Sequence, residues 1–365
     1  MARLGDVCTK GTSNIAQKDL EGHGGNYPIY GASGFIANVD FYQQENPYIA
    51  VVKDGAGIGR IMKLPAKSSV IGTMQYIIPN DTVDISYLAY AMDHMNLSKY
   101  FTGATIPHIY FRDYQKEELP LPSLDEQRKI AAVLDKVSDL IAKRRQQLDK
   151  LDEMVEARFM EIFGDSETNT KNWRVLPMSK ICSVGSSKRI YQSEQSSSGV
   201  PFWRISDLTS LITTGTVTTE LYIPEERYKE LKTQGQVPAP GDILITSRGT
   251  LGQCYIVKVN DRFYFQDGMI SWLSGYMDGV TPLYISYLFT MPGFRKQIDS
   301  MQAGSTVAYL SITMIKKLKV MLPDIESQQQ FASFVSKTEK TKTTISRSLE
   351  KLETLKKALM QEYFG

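Results

Sequence analysis

The sequence predicts a mixed α/β chain in which two globular domains recur in tandem, each followed by a long helix, the two helices pairing antiparallel as a coiled coil. Three observations carry this. Residues 102–136, TGATIPHIYFRDYQKEELPLPSLDEQRKIAAVLDK, align without a gap on residues 303–337, AGSTVAYLSITMIKKLKVMLPDIESQQQFASFVSK, at an offset of 201 (323 − 122). Each copy is rich in Tyr, Gly and short β-prone runs. Each then passes into an apolar stripe of helical period.

The first domain, 1–122, holds the runs YIAVV and SVIGTMQYIIP, which read as strands of a compact α/β body. A helix over 123–163 follows. Ser123 and Glu126 form a capping box behind Pro122, and Ile130, Leu134, Val137, Ile141, Leu148, Leu151, Val155, Phe159 and Ile162 make one stripe. The other faces carry 9 acids and 8 bases over residues 123–162, as a solvated helix should. Some 40 residues at the α-helical rise reach about 60 Å.

The second domain, 164–323, repeats the pattern with DILITS and QCYIVKV. Its start, ICSVGSS at 181–187, matches VCTKGTS at 7–13 with an offset of only 174, so this copy is longer by 27 residues (201 − 174) within its globular part. The second helix, 324–365, carries Phe331, Val335, Ile345, Leu349, Leu352 and Leu359, but its middle, KTEKTKTTISRS, is poor in strong helix formers and needs a partner. Tandem copies tend to pack about a local two-fold axis, which predicts a pseudo-two-fold chain with antiparallel helices and both termini near the same end of the coil.

Composition narrows the function classes. With 365 residues, 42% hydrophobic and 22% charged, the chain can bury two or three cores. No apolar run approaches the roughly 20 residues of a membrane span, and MARLGDVCTKG lacks the apolar core of a signal peptide, so a cytoplasmic protein is expected. Cys8, Cys182 and Cys254 are dispersed and odd in number, which fits a reducing compartment. His23, His94 and His108 have no zinc-site spacing with them, and no metal site is expected. Net charge is only +2, with 17 Lys/Arg against 13 Asp/Glu in 165–323 and 10 against 12 in 1–122. A grip on nucleic acid would have to be local or shared with a partner.

The stretch ENPYIAVVKDGAGIG, residues 45–59, looks catalytic and fails the test of context. Asn46-Pro47-Tyr48 resembles the Asn-Pro-Pro-Tyr loop of adenine methyltransferases but lacks the second proline. The glycines of 55–59 precede the strand-like RIMKLPAKSSVIG, whereas a dinucleotide fingerprint must open a helix, and no G-x-x-x-x-G-K-[ST] occurs. Two readings remain for this stretch and for the matching SRGTLG at 247–252. One is a tight turn that uses positive φ at glycine. The other is a close approach to DNA, with Lys53, Arg60, Ser247, Arg248 and Thr250 reaching phosphates or base edges.

The paired openings LPLPSLDEQRKIAAVLDKV and VMLPDIESQQQFASFV, the turns TGATIPHI and AGSTVAYL, the FGD at 163–165, and NYPIYGASGFIANVDFY, GVPFWRISDL and GDILITSRGTLG carry a resemblance that covers essentially the whole chain. Together they resemble the specificity subunit of a type I restriction-modification system. The resemblance implies a DNA-reading scaffold with no catalytic site and no cofactor of its own. Residues 1–122 and 164–323 would be target-recognition domains, each reading half of an asymmetric bipartite double-stranded DNA site. The helices would set the spacing and dock two methyltransferase subunits. S-adenosylmethionine, ATP and Mg2+ would belong to those subunits and to restriction (motor) subunits.

Further candidates for DNA contact are Thr105 and Ser305 in the turns before the helices, Lys188 and Arg189 in SSKRIYQSEQSSSG, and Arg204. The turns could equally serve only as joints, and the serine-rich stretch as a solvated loop. For partner docking the segment RRQQLDKLDEMVEARFMEIF is preferred, through Arg144, Arg145, Leu148, Leu151, Val155 and Phe159. Two other classes stay open: a stand-alone DNA adenine methyltransferase, which would bind S-adenosylmethionine, and a DNA-independent coiled-coil assembly adaptor, which would show no sequence-dependent binding.

Overall fold

Short β-prone runs separated by glycine turns, followed by 40 residues of helical period, dictate small sheets backed by a long helix, and the chain builds that arrangement twice. A computed structural model describes residues 1–103, 107–302 and 308–365. These fall into two compact units, Met1–Leu148 with Thr344–Gly365, and Asp149–Thr343. The long helices Leu124–Phe163 and Ile325–Phe364 each contribute one part to each unit. Thr105 and Ser305 lie outside the described residues.

The first unit contains β1 (Ala2–Arg3), β2 (Cys8–Thr12), β3 (Gly24–Gly31), β4 (Gly34–Val39), β5 (Tyr48–Val52), β6 (Ile61–Leu64), β7 (Ser69–Val70), β8 (Met74–Pro79) and β9 (Glu118–Leu119). An antiparallel sheet runs in the order β2-β8-β5-β6, a second sheet in the order β4-β3-β7 with β3 and β7 parallel, and β1 pairs with β9. All five residues of β5, YIAVV, are buried. Successive side chains point to opposite faces of a strand. Ile49 and Val51 therefore join a core with Ile77, Tyr87, Leu88, Leu134 and Met360, while Tyr48, Ala50 and Val52 join another with Val70, Met74 and Tyr76.

The second unit repeats this connectivity with β10 (Arg174–Pro177), β11 (Ser183–Gly185), β12 (Val200–Trp203), β13 (Tyr222–Ile223), β14 (Ile243–Thr246), β15 (Cys254–Ile256), β16 (Tyr264–Phe265), β17 (Ile270–Ser274) and β18 (Lys319–Leu322). The sheets run β11-β17-β14-β15 and β13-β12-β16, again with one parallel pair, and β10 pairs with β18. Matching the ladders locates the extra length. The offset is 173 at Pro28 and Pro201 (201 − 28), 184 at their partners Asn38 and Tyr222 (222 − 38), and 194 at Val52 and Thr246 (246 − 52). Helices Ile205–Thr214 and Glu225–Thr233 occupy these two insertions, on either side of β13.

Within each unit the long helices run antiparallel. In the first, Leu134 shares a core with Met360, and Arg145 pairs with Glu353 at 2.7 Å. In the second, the rings of Phe159 and Phe331 lie 5.4 Å apart, Val155 and Val335 share their core, and Lys342 pairs with Asp152. The weak middle of the second helix is helical throughout. Its Thr338, Thr341 and Thr343 donate their hydroxyls to the carbonyls four residues earlier, a local alternative that residues of this type use inside helices.

Each helix end also packs into a unit at matching places. Phe163 lies 4.9 Å from Tyr284, and Phe364 lies 5.1 Å from Tyr87. Ala2, opposite Leu119, belongs to the same unit as Phe364, and Leu119 and Phe364 line one cavity. The two termini thus meet in the first unit.

A buried glutamine ties each globular part to its helix. Gln127 is fully buried. Its Nε2 donates to Thr82 O (3.1 Å) and Pro122 O (2.9 Å), and its Oε1 accepts from Asp84 N (2.8 Å), where Asp84 caps helix Ile85–His94. Gln328 does the same, donating to Gly279 O (2.8 Å) and Pro323 O (3.0 Å) and accepting from Thr281 N (2.9 Å), the cap of helix Pro282–Leu288. Removing either side chain takes the partner from three backbone groups that are part-buried or buried. Gln127→Ala and Gln328→Ala should each cost about 2–4 kcal/mol in urea denaturation. A loss below about 1 kcal/mol in both would mean that water replaces the amide at no cost.

Candidate nucleic-acid interface

The glycine stretch that looked like a nucleotide loop is a hairpin turn. Gly55, Gly57 and Gly59 have φ of 81°, 86° and 80° and join the antiparallel strands β5 and β6. A Cβ on Gly59 would lie 2.5 Å from Ser98 N, so only glycine fits there. The matching turn in the second unit joins β14 to β15 and is one residue shorter. Val52 N donates to Arg60 O, while Thr246 N donates to Gln253 O. Lys53 therefore corresponds to Ser247, and their carbonyls accept from the matching amides of Ile109 and Leu310.

In the first unit, Lys53 is 22% exposed and stands 3.9 Å from Asp54, which also engages the ring of His108. Arg60 is exposed and reaches the neighbouring turn between β3 and β4, donating to Ala32 O at 2.7 Å. Both flank the hairpin turn, and neither is in the core.

In the second unit, the segment Tyr264–Met269 gathers the candidates. The Tyr264 hydroxyl accepts from Lys188 N and donates to Lys188 O. Asp267 receives Arg189 Nε at 2.9 Å. Gln266 N donates to Trp203 O, beside the exposed Arg204, whose Nε is 3.7 Å from Asp207. Gly268 O accepts from the Tyr309 hydroxyl at 3.0 Å, and the Arg248 guanidinium lies over the Tyr309 ring at 5.3 Å. Lys188, Arg189, Arg204 and Arg248 are thus all exposed around one segment. Thr250 is exposed on the same turn as Arg248. Tyr309, Gln266 and Asp267 are neighbours of these candidates that the sequence reading did not single out, because nothing in local pattern links residues so far apart.

Three expectations need correction. Ser247 is 1% exposed, its Oγ lies 2.8 Å from Ser271 Oγ, and its backbone is bonded on both sides, so its hydroxyl stabilises the turn and faces no ligand. Val155 and Phe159 are 4% and 0% exposed among Tyr284, Phe331 and Val335, so this chain's own core takes up both side chains and no partner can dock on them. Leu148, Leu151 and Arg144 are half-buried, and Arg145 is exposed but already held by Glu353. Burial also pushes the thiols of Cys8 and Cys182 up to about 12, which leaves little thiolate for nucleophilic chemistry at neutral pH.

A family model described as "Type I restriction modification DNA specificity domain" matches residues 1–152 and again 170–354. The chain belongs to this family of type I restriction-modification specificity subunits. Among its relatives, a Haemophilus influenzae protein named as type I restriction enzyme specificity subunit S.HindORF215P is 23% identical over 333 residues, covering 89% of this chain and 83% of the relative. The MjaVIII specificity subunit of Methanocaldococcus jannaschii is 24% identical over 400 residues, covering 99% of this chain and 90% of its own. A crystal structure of a type I restriction-modification S subunit from M. genitalium shares the fold with a TM-score of 0.62 at 16% identity, covering 100% of this chain and 95% of that one. No helix among the described residues of this specificity subunit is long and apolar enough to cross a membrane.

The turn of the second unit supplies a paired test. Arg248→Ala should weaken duplex DNA binding while leaving urea stability unchanged. Ser247→Ala should do the reverse, lowering stability by about 1 kcal/mol through the lost buried hydrogen bond. Equal binding by wild type and Arg248→Ala would remove Arg248 from the interface.

Proposed function

We propose that this chain reads DNA for a type I restriction-modification enzyme and catalyses nothing itself. Each unit contacts one half of an asymmetric bipartite site in the major groove, and the long helices fix the distance between the halves. Two methyltransferase subunits dock on the helices and bring S-adenosylmethionine, while restriction subunits bring ATP and Mg2+ chemistry, all in the cytoplasm.

One observation supports this reading above others: a single topology is built twice, yet equivalent surface positions carry different polar groups. Arg60 corresponds to Gln253, and His108 to Tyr309. The frame is kept and the side chains a base pair would meet are changed, as expected of two readers of two different half-sites.

For docking, the flank beside the buried stripe is a better surface than the stripe itself. Val133 and Leu140, seven residues apart, are exposed on the first unit's part of the helix, and Met154 is exposed on the second unit's part. Residues seven apart share a helix face, so Val133 and Leu140 offer one apolar strip to a partner helix. Leu140→Glu should abolish co-purification with the co-expressed methyltransferase subunit at unchanged thermal stability. Retention of the subunit would place docking elsewhere.

The function is tested by co-expressing the chain with its methyltransferase partner and mapping N6-methyladenine across the host genome. A split motif methylated once on each strand, and absent without this chain, is the expected outcome. A soluble complex that binds S-adenosylmethionine but adds no such motif would favour the assembly-adaptor alternative.

A further inference from the structure

The first unit has a concavity of about 360 Å3 lined by Lys10 and Thr12 of β2, Lys53 at the end of β5, Gln75 of β8, and the segment that runs from His108 to Arg112. Its charged lining is cationic: Lys10, Lys53 and Arg112, with His108 beside them. No carboxylate lines it among the described residues, and the acids nearest its cations, Asp54 at 3.9 Å from Lys53 and Asp113 at 3.7 Å from Arg112, stand outside the lining. Gathering three cations in a concave site costs free energy through mutual repulsion unless an anion offsets it.

The site is also held in shape. The Arg112 guanidinium lies 4.6 Å from the centre of the exposed Tyr110 ring, and the His108 ring lies 4.1 Å from the same ring. Asp54 engages His108, and Lys53 O accepts from Ile109 N, so the segment that carries Arg112 is tied to the strand that carries Lys53.

The second unit has no such cluster at the equivalent places. The offset of 174 near the domain starts puts Val184 where Lys10 stands, and the offset of 201 puts Tyr309 and Thr313 where His108 and Arg112 stand. Ser247 replaces Lys53 and is bonded to Ser271.

We propose that this concavity seats a backbone phosphate of bound DNA, held by Lys10, Lys53 and Arg112, and that the first unit alone of the two has this seat. The proposal rests on the first unit contacting DNA, as proposed above. A phosphate fits better than a base edge because three cations line the concavity with no carboxylate among them, while its one amide side chain is already engaged at its oxygen. Gln75 is buried with its Oε1 accepting from the Tyr114 hydroxyl at 2.8 Å. What remains are three cations and a hydroxyl; a lone Lys or Arg can read guanine, but three cations converging on one concavity suit a shared anion. The first domain, the more acidic by count, would thus supply the stronger sequence-independent anchor.

The test uses the full chain in complex with its methyltransferase partner and short labelled duplexes. One duplex carries the methylated motif, and another has its first half-site scrambled. Affinities are measured by fluorescence anisotropy across a KCl series for wild type, Lys10→Gln/Arg112→Gln, and a control, Thr313→Gln. The double variant should weaken binding to both duplexes by the same factor and lower the slope of log affinity against log salt by about one, for the single phosphate the seat neutralises. The control should leave the slope unchanged. A loss confined to the intact motif would make the concavity a base reader and overturn the proposal. An unchanged slope, in a complex whose motif binding is still weakened by Arg248→Ala, would overturn the seat and leave the DNA-reading function standing. A wild-type complex without motif-dependent binding would sink both.

Discussion

The junction between each globular part and its long helix depends on one buried amide side chain. Gln127 and Gln328 face the same problem. A helix starting after a proline must meet a second helix starting from a capped turn, and both starts expose backbone groups that have no partner within their own helices. A single glutamine supplies two donors and an acceptor at the point where those orphans converge. It satisfies the carbonyl before one helix, the carbonyl near the other and the amide at its cap. Without it the helix and the sheets could still bury apolar surface, but the part-buried polar groups at their seam would lose this partner.

From that seam outward, the packing is hydrophobic and follows the strand period. β5 and β14 sit inside their four-stranded sheets and send alternate residues to two cores, one of which includes the long helices. The hairpin turns that leave these strands are therefore held from behind by the deepest part of each unit. A side chain at such a turn, Lys53 or Arg248, is displayed from a rigid base, which lowers the cost of fixing it against a ligand.

Much of this was legible in the sequence. The ungapped repeat announced two copies, and the stripe Ile130, Leu134, Val137 and Ile141 announced a helix face that the structure buries. The equivalence of Gln127 and Gln328 was visible as an alignment, although not as a hydrogen-bonding device. What could not be read was the direction each surface candidate takes. Ser247 and Arg248 are neighbours, yet one turns inward to Ser271 and the other lies over Tyr309, because the buried course of β14 continues one residue past its ladder. Val155 and Phe159 belong to the apolar stripe by period, and no one-dimensional pattern says that their own chain has filled both. The Lys10, Lys53 and Arg112 grouping draws on three distant segments and appears only once the strands are paired.

The partners chosen by the two glutamines have an evolutionary consequence. Gln127 bonds only to main-chain atoms of Thr82, Asp84 and Pro122, and Gln328 uses main-chain atoms of Gly279, Thr281 and Pro323, adding only the Thr281 hydroxyl. Main-chain atoms are present whatever residue occupies a position, so the join does not inspect the identity of what it joins. The display face can drift, and even gain two helices around β13, while the attachment stays the same. Such a chain can change its surface residues while its mechanical frame is inherited intact.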